Sequence, residues 1–321
     1  MKSYEEMANE VFRRREAYET AQKHRRKAMR RAAGSLGCAC LAVLIGVGVW
    51  QSGVARDRRS LPPASSTGIS DTVPSGEGVW IPPIEPPKGI NGESADMIGL
   101  VVYQGHVYTQ AESYSGADAA KMAGLIGERL GHATGTIDEW SSQEAYATEF
   151  ASTYEGDIYA VKGYSTDFRL CFVSVYEDEN GNSAKWVQFL ERLNGISLTD
   201  GEDLFGDRLH LRGRIAAVRY QTEEDWNVGR QHYRELVGLT AEELEAFVEE
   251  LYAGQIVHIA DSDYDALLSE RERVMVYFRL DDDTVVRLQL TEGGYVLYPN
   301  MDRYYVKLSG DAFDTVFRTC R

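Results

Sequence analysis

Residues 32–50, AAGSLGCACLAVLIGVGVW, constrain this chain more than any other stretch. They are nineteen residues without a charge, closed by Arg30 and Arg31 on one side and by Arg56, Arg58 and Arg59 on the other. At the α-helical rise, nineteen residues reach roughly 28 Å, close to the hydrocarbon thickness of a bilayer. The stretch is apolar all round and carries Gly34, Gly37, Gly46 and Gly48, a composition suited to lipid. Its length and the long segment before it disfavour a cleaved signal, and Cys38 lies too early in the run for a lipoprotein signal. The expectation is a single membrane-spanning helix over 32–54, with the lipid bilayer as its partner.

Charge divides on either side of it. Residues 1–31 hold ten Lys/Arg and five Glu, a balance of +5, whereas residues 60–321 sum to −23 within a chain of net −16. Lys and Arg stay cytoplasmic, so the amino terminus is expected inside and the large acidic part outside the cell membrane. An exterior that acidic repels nucleic acid, and none is expected as a partner. Residues 1–31 lack Gly and Pro and read as one basic helical tail, with Ser3 and Glu6 spaced as a capping box.

Residues 55–96 read as a linker. Seven of the eight prolines fall between Pro62 and Pro87, and Ser, Thr and Gly fill the gaps. Its last part, with Trp80, Ile81 and Ile84, is apolar enough to dock on the domain after it.

Beyond residue 96 the pattern is α+β, hairpins and helices in two lobes, 97–200 and 201–321. Residues 98–103 and 106–110 flank Gln104-Gly105 as a hairpin, and 116–130 read as a helix ending at Gly131. Residues 157–162, 168–176 and 185–191 read as strands, the last two joined by a turn at Asn180-Gly181. In the second lobe 208–220 is strand-like and 240–252 is a helix with Thr240 and Glu243 as its capping box. Strands follow at 273–280, 284–290, 295–298 and 303–308, and a helical turn at 311–318. VVYQGHVYTQ and TYEGDIYAVKGY share a phrase that hints at a duplicated unit of about 100 residues.

Candidate sites are few. Asp261, Asp263, Asp265 and Glu272 copy four calcium-ligand positions of an EF-hand, but Ala266 stands where that loop requires Gly; the other reading is an acidic turn capping a helix over 266–271. His210 beside Asp207 forms either an acid–base pair or part of a strand's polar face. His106, His132, His210, His232 and His258 lack metal-ligand spacing, and HExxH, CxxC and GxSxG motifs are absent. Cys171 and Cys320 could pair only in an oxidising compartment. Taken together, no catalytic, cofactor or metal residue is assigned, and a non-enzymatic role is expected, with an unidentified ligand on the exterior side.

The phrases MKSYEEMANEVFRRREAY, GVGVWQSG, MIGLVVYQGHVYTQAESY, ATEFASTYEGDIYAVKGY and GEDLFGDRLHL give the chain a resemblance over nearly its full length. It resembles a group of uncharacterised single-pass membrane proteins of clostridia-like Firmicutes, many encoded beside extracytoplasmic-function sigma factors and often labelled anti-sigma-factor-like. The resemblance implies a cytoplasmic sigma factor held by residues 1–31 and a signal sensed outside. The alternative is a surface-anchored binding module or enzyme whose tail serves only insertion.

Overall fold

The computed structural model describes residues 78–84, 98–138, 141, 144–177 and 183–321. The tail, the expected span at 32–54, most of the linker and the Asn180-Gly181 turn lie outside the described residues. Among the described residues no helix is long and apolar enough to cross a membrane.

The described part is α+β with strands dominant, in two lobes that meet along a seam. Lobe one is a six-stranded antiparallel sheet. Its strands are β2 (Leu100–Tyr103), β3 (His106–Ser115), β4 (Ile126–Thr134), β5 (Glu155–Val161), β6 (Arg169–Glu177) and β7 (Ser183–Glu191), in the order β2-β3-β7-β6-β5-β4. The β2–β3 hairpin turns on Gln104 and Gly105, both left-handed at φ 52° and 74°, as a two-residue primed turn requires. Strand alternation divides the apolar side chains of this sheet between two faces. Leu170, Phe172 and Leu190 join one cluster, whereas Cys171, Val187 and Phe189 join another with Ala119 and Met122.

Lobe two contains β9 (Ile215–Thr222), the short helix α2 (Glu223–Asn227), β10 (Arg234–Glu235), α3 (Ala241–Ala253), β11 (Gln255–His258) and α4 (Asp261–Ser269). It continues through β12 (Arg273–Leu280), β13 (Val285–Thr291), β14 (Tyr295–Leu297), β15 (Tyr304–Lys307) and α5 (Asp311–Thr319). Its seven strands run β10-β9-β12-β13-β14-β15-β11, all antiparallel. The capping box of α3 is present: Thr240 Oγ1 accepts from Glu243 N at 3.1 Å and Glu243 Oε2 accepts from Thr240 N at 2.8 Å. Glu250 of α3 in turn accepts from the backbone N–H groups of Gly310 and Phe313, capping α5, whose own N-cap glycine has no side chain to offer. Phe247, Val248 and Leu251 of α3 join Phe313 and Val316 of α5, and Val276, Phe278 and Leu288 of the sheet, in one continuous core.

Several sequence expectations need correction. The expected helix over 116–130 is only α1 (Gly116–Lys121) and a tight turn at Met122–Leu125; from Ile126 the chain is β4. Pairing with β5 outweighs the helical spacing, and Gly131 admits the Phe150 ring where any Cβ would lie 2.2 Å from it. The strand expected over 208–220 begins only at Ile215, because a single π-helical turn, Glu202–Gly206, and the turns after it occupy the preceding stretch. The linker does not run free to residue 96: β1 (Val79–Ile81) pairs with β8 (Ile196–Leu198). The duplicated unit is not seen in the topology. In lobe one the meander runs from the far edge inward to β3, whereas in lobe two it starts beside β9 and runs outward to β11.

Candidate functional site

The seam between the lobes carries two groupings of polar residues. The outer one is a shallow cleft of about 310 Å³ lined by Glu202, Gly206, Asp207, His210, Arg212, Arg214 and Tyr252. Residues 201–211 form a hook that makes it. Leu204, Phe205, Leu209 and Leu211 are fully buried in the lobe-two core, and the backbone between them is left to wind tightly. His210 N donates to Gly206 O at 3.0 Å, Leu209 N to Leu204 O at 3.0 Å and Leu211 N to Phe205 O at 3.0 Å. The hook can sit there because Gly201 has no Cβ; one would stand 1.7 Å from Leu251 O. His210 pays with a left-handed backbone, φ 55°, uncommon for a non-glycine residue.

Lobe one touches this grouping through Tyr164, beside the cleft. The Tyr164 ring lies 5.6 Å from that of His210, and its hydroxyl accepts from Arg214 Nη1 at 3.2 Å. Arg214 also donates through Nε to Asp281 at 2.9 Å and contacts Asp282. Burial works against the Asp282 charge, but the Thr284 hydroxyl and amide and the Arg214 guanidinium together hold its carboxyl below the usual range. Arg212 is held by Glu249 through two hydrogen bonds of 2.6 and 2.8 Å and lies over the Tyr252 ring at 4.5 Å. Such a cleft can offer carboxylate acceptors and an aromatic wall to a small polar ligand. His210 and Asp207 both line it, but among the described residues no hydrogen bond joins them, and neither lies on a strand.

The inner grouping is one that the sequence reading misses. Arg169 and Glu191 face each other across β6 and β7 and are 3% and 0% exposed. Arg169 Nε donates to Glu191 Oε1 at 2.8 Å, Nη2 donates to the same oxygen, and the Tyr298 hydroxyl of lobe two donates to Glu191 Oε2 at 2.8 Å. The Arg169 guanidinium also lies over the Tyr164 ring, 4.3 Å from its centroid. Close by, a bulge between Gln110 and Ser113 turns Glu112 toward the seam, where burial raises its carboxyl above the usual range, Glu191 adds to the rise and Arg287 opposes it. Two further bonds cross the seam: Val285 N donates to Tyr114 Oη at 3.3 Å and Asn300 Nδ2 to Gln110 O at 2.7 Å. A hairpin centred on residue 180 sets residue 169 opposite 191, so the pair was in principle readable from the Asn180-Gly181 turn; its contact with Tyr298 was not.

The remaining candidates disperse. Asp261, Asp263 and Asp265 of the EF-hand-like stretch lie on the helix α4 and Glu272 beyond its end, and a helix cannot be the ligand loop of such a site; among the described residues no group of three His, Cys, Asp or Glu is placed to hold a metal. His132 contacts Asp157 at 2.9 Å, His232 contacts Asp225 at 3.3 Å, and the His258 ring lies 4.9 Å from that of Tyr304. Cys171 and Cys320 are unpaired, each buried in a different lobe, and burial pushes each thiol up to about 12. Comparison with protein families, with curated proteins and with solved structures finds no match to this chain.

Proposed function

We propose that this chain is a single-pass membrane protein that carries a sensing or binding module outside the cell, with its amino-terminal tail in the cytoplasm and acting as an anti-sigma-like regulator. The observation that carries the reading is the uncharged run at 32–50 between a tail of +5 and a remainder of −23. The resemblance to anti-sigma-factor-like membrane proteins supports the regulatory half, with a sigma factor as partner of residues 1–31. An α+β module with a polar cleft on its second lobe suits the exterior half. A second reading, a surface-anchored binding module or enzyme whose tail only inserts, is favoured by one feature: residues 1–31 have room for one helix, little surface for holding a partner protein.

Reporter fusions after residue 321 test the topology. Activity of an exterior reporter, and silence of a cytoplasmic one, is expected; the reverse overturns both readings. Capture of cytosolic proteins on residues 1–31 separates the two. A retained sigma factor supports the regulator, and an empty capture leaves the anchored module.

A further inference from the structure

The chain that enters the folded module is fastened to the segment that joins its two lobes. After β7 the connector runs through Asn194 and β8 into the 201–211 hook, and β1 lies antiparallel upon it, with Val79 opposite Leu198, Trp80 opposite Ser197 and Ile81 opposite Ile196. Ile81 is 5% exposed and shares the lobe-two core with Leu193, Ile196 and Leu198, while Trp80 on the other face is 55% exposed. Asn194, itself buried, binds three pieces at one point: its Oδ1 accepts from Ile84 N at 3.3 Å, and its Nδ2 donates to Val107 O of lobe one at 2.8 Å. The fit at the start of the ribbon is close, since a Cβ on Gly78 would lie 2.4 Å from Leu198 O.

We propose that residues 79–84 are a strap across the interlobe joint, so that displacement of the chain before residue 78 acts on the packing of lobe one against lobe two. The connector can move relative to the lobe-two core only if Ile81 moves with it or the ribbon parts. Freeing the strap and loosening the seam are therefore linked, and the linkage is reciprocal. The proposal rests on the membrane-anchor reading only for what would displace the strap; the coupling belongs to the folded chain.

Hydrogen exchange followed by mass spectrometry on the purified full chain tests it. The Val285 amide donates to Tyr114 Oη across the seam and reports on it, residues 79–81 and 196–198 report on the strap, and Phe247–Leu251 of α3 report on the fold. Gly78→Val drives a side chain onto Leu198 O. The expected result is exchange at least about tenfold faster at both the strap and Val285, with α3 unchanged. A faster strap with Val285 unmoved overturns the coupling, as does a wild-type strap that exchanges like unstructured chain. Should Gly78→Val also expose α3, Ile81→Ala removes the core contact without the backbone clash and is read in the same way. In the reverse direction Tyr114→Phe removes the acceptor at the seam; faster exchange at residues 79–81 supports the strap and an unchanged rate counts against it. Failure of the topology reporters leaves these rates untouched, so the two readings fall separately.

Discussion

Lobe two is built around one core and lobe one around several. In lobe two the helices α3, α4 and α5, the sheet, the hook at 201–211 and even Ile81 of the strap feed a single continuous cluster. Lobe one spreads its apolar side chains over both faces of its sheet and under the 145–151 loop, in three smaller clusters. Three small clusters hold fewer buried apolar side chains than the one continuous core, and so gain less from the hydrophobic effect. Lobe one therefore depends on the seam, where Glu191 with Tyr298, Tyr114 with Val285 and Gln110 with Asn300 tie it to its neighbour.

Breaking the seam at its charged centre should have the largest effect. Arg169→Met leaves Glu191 buried with only the Tyr298 hydroxyl, and an unpaired buried charge costs about 3–5 kcal/mol. The comparison predicts more than a loss of stability. Urea unfolding of the variant should divide into two transitions, with Trp186 of lobe one reporting the earlier one and Trp226 of lobe two the later. A single shifted transition would mean that lobe one does not lean on the seam. Adding Glu191→Met should recover part of the loss, because it removes the stranded charge.

Core truncations sharpen the same contrast from within. Phe247→Ala opens a cavity in a core braced from every side, and a Phe→Ala change in such a place costs about 3–5 kcal/mol. Phe172→Ala, in a cluster rimmed by half-buried Tyr154 and Trp186, has neighbours free to close in and should fall at or below the lower end of that range. Equal losses in denaturant midpoints would erase the distinction.

Glu112 makes the seam sensitive to pH. Burial raises its folded carboxyl above the unfolded value, so the neutral form belongs to the fold. Its contribution is fully present below the ordinary carboxylate range and is lost as pH rises through the raised value. Glu112→Gln keeps a neutral group at every pH. Wild type should lose seam stability relative to this variant as pH rises from acid toward neutral, read as the difference between their unfolding midpoints at each pH. A difference that stays constant with pH would show that Glu112 is hydrated and ordinary.

How far these features could be read from the sequence depended on distance along the chain. The hairpins at 100–110 and 273–291 and the capped helix at 241–253 were readable because their determinants are local: a turn dipeptide, alternation, Thr240 three residues before Glu243. The expected helix over 116–130 holds only for its first part, with Ala119; Ile126 and Leu130 suit a strand as well, and β4 hides its alternation behind two register shifts. The hook at 201–211 is not legible in the sequence, and its end reads as the start of a strand, because Leu204, Phe205, Leu209 and Leu211 together follow neither period, yet all four are fully buried. Of the candidate site, the sequence marks Asp207 and His210, but Tyr252 arrives from about 40 residues away and Tyr164 from across the seam.

His210 gives the finest test of how the two lobes meet beside the cleft. Its left-handed backbone at φ 55° costs roughly 1–2 kcal/mol that glycine would not incur. Its ring returns some of that by resting 5.6 Å from Tyr164 of the other lobe. His210→Gly removes both the strain and the contact, so the net change in stability should be small, within about 1 kcal/mol of wild type. His210→Ala keeps the strain and loses only the contact, and should be the less stable of the two. That order, read from thermal midpoints, would show that the strain at 210 is imposed by the four buried apolar side chains of the hook, and the drop from wild type to His210→Ala measures what the ring gains from Tyr164. The opposite order would mean that the backbone at 210 carries no strain for glycine to relieve.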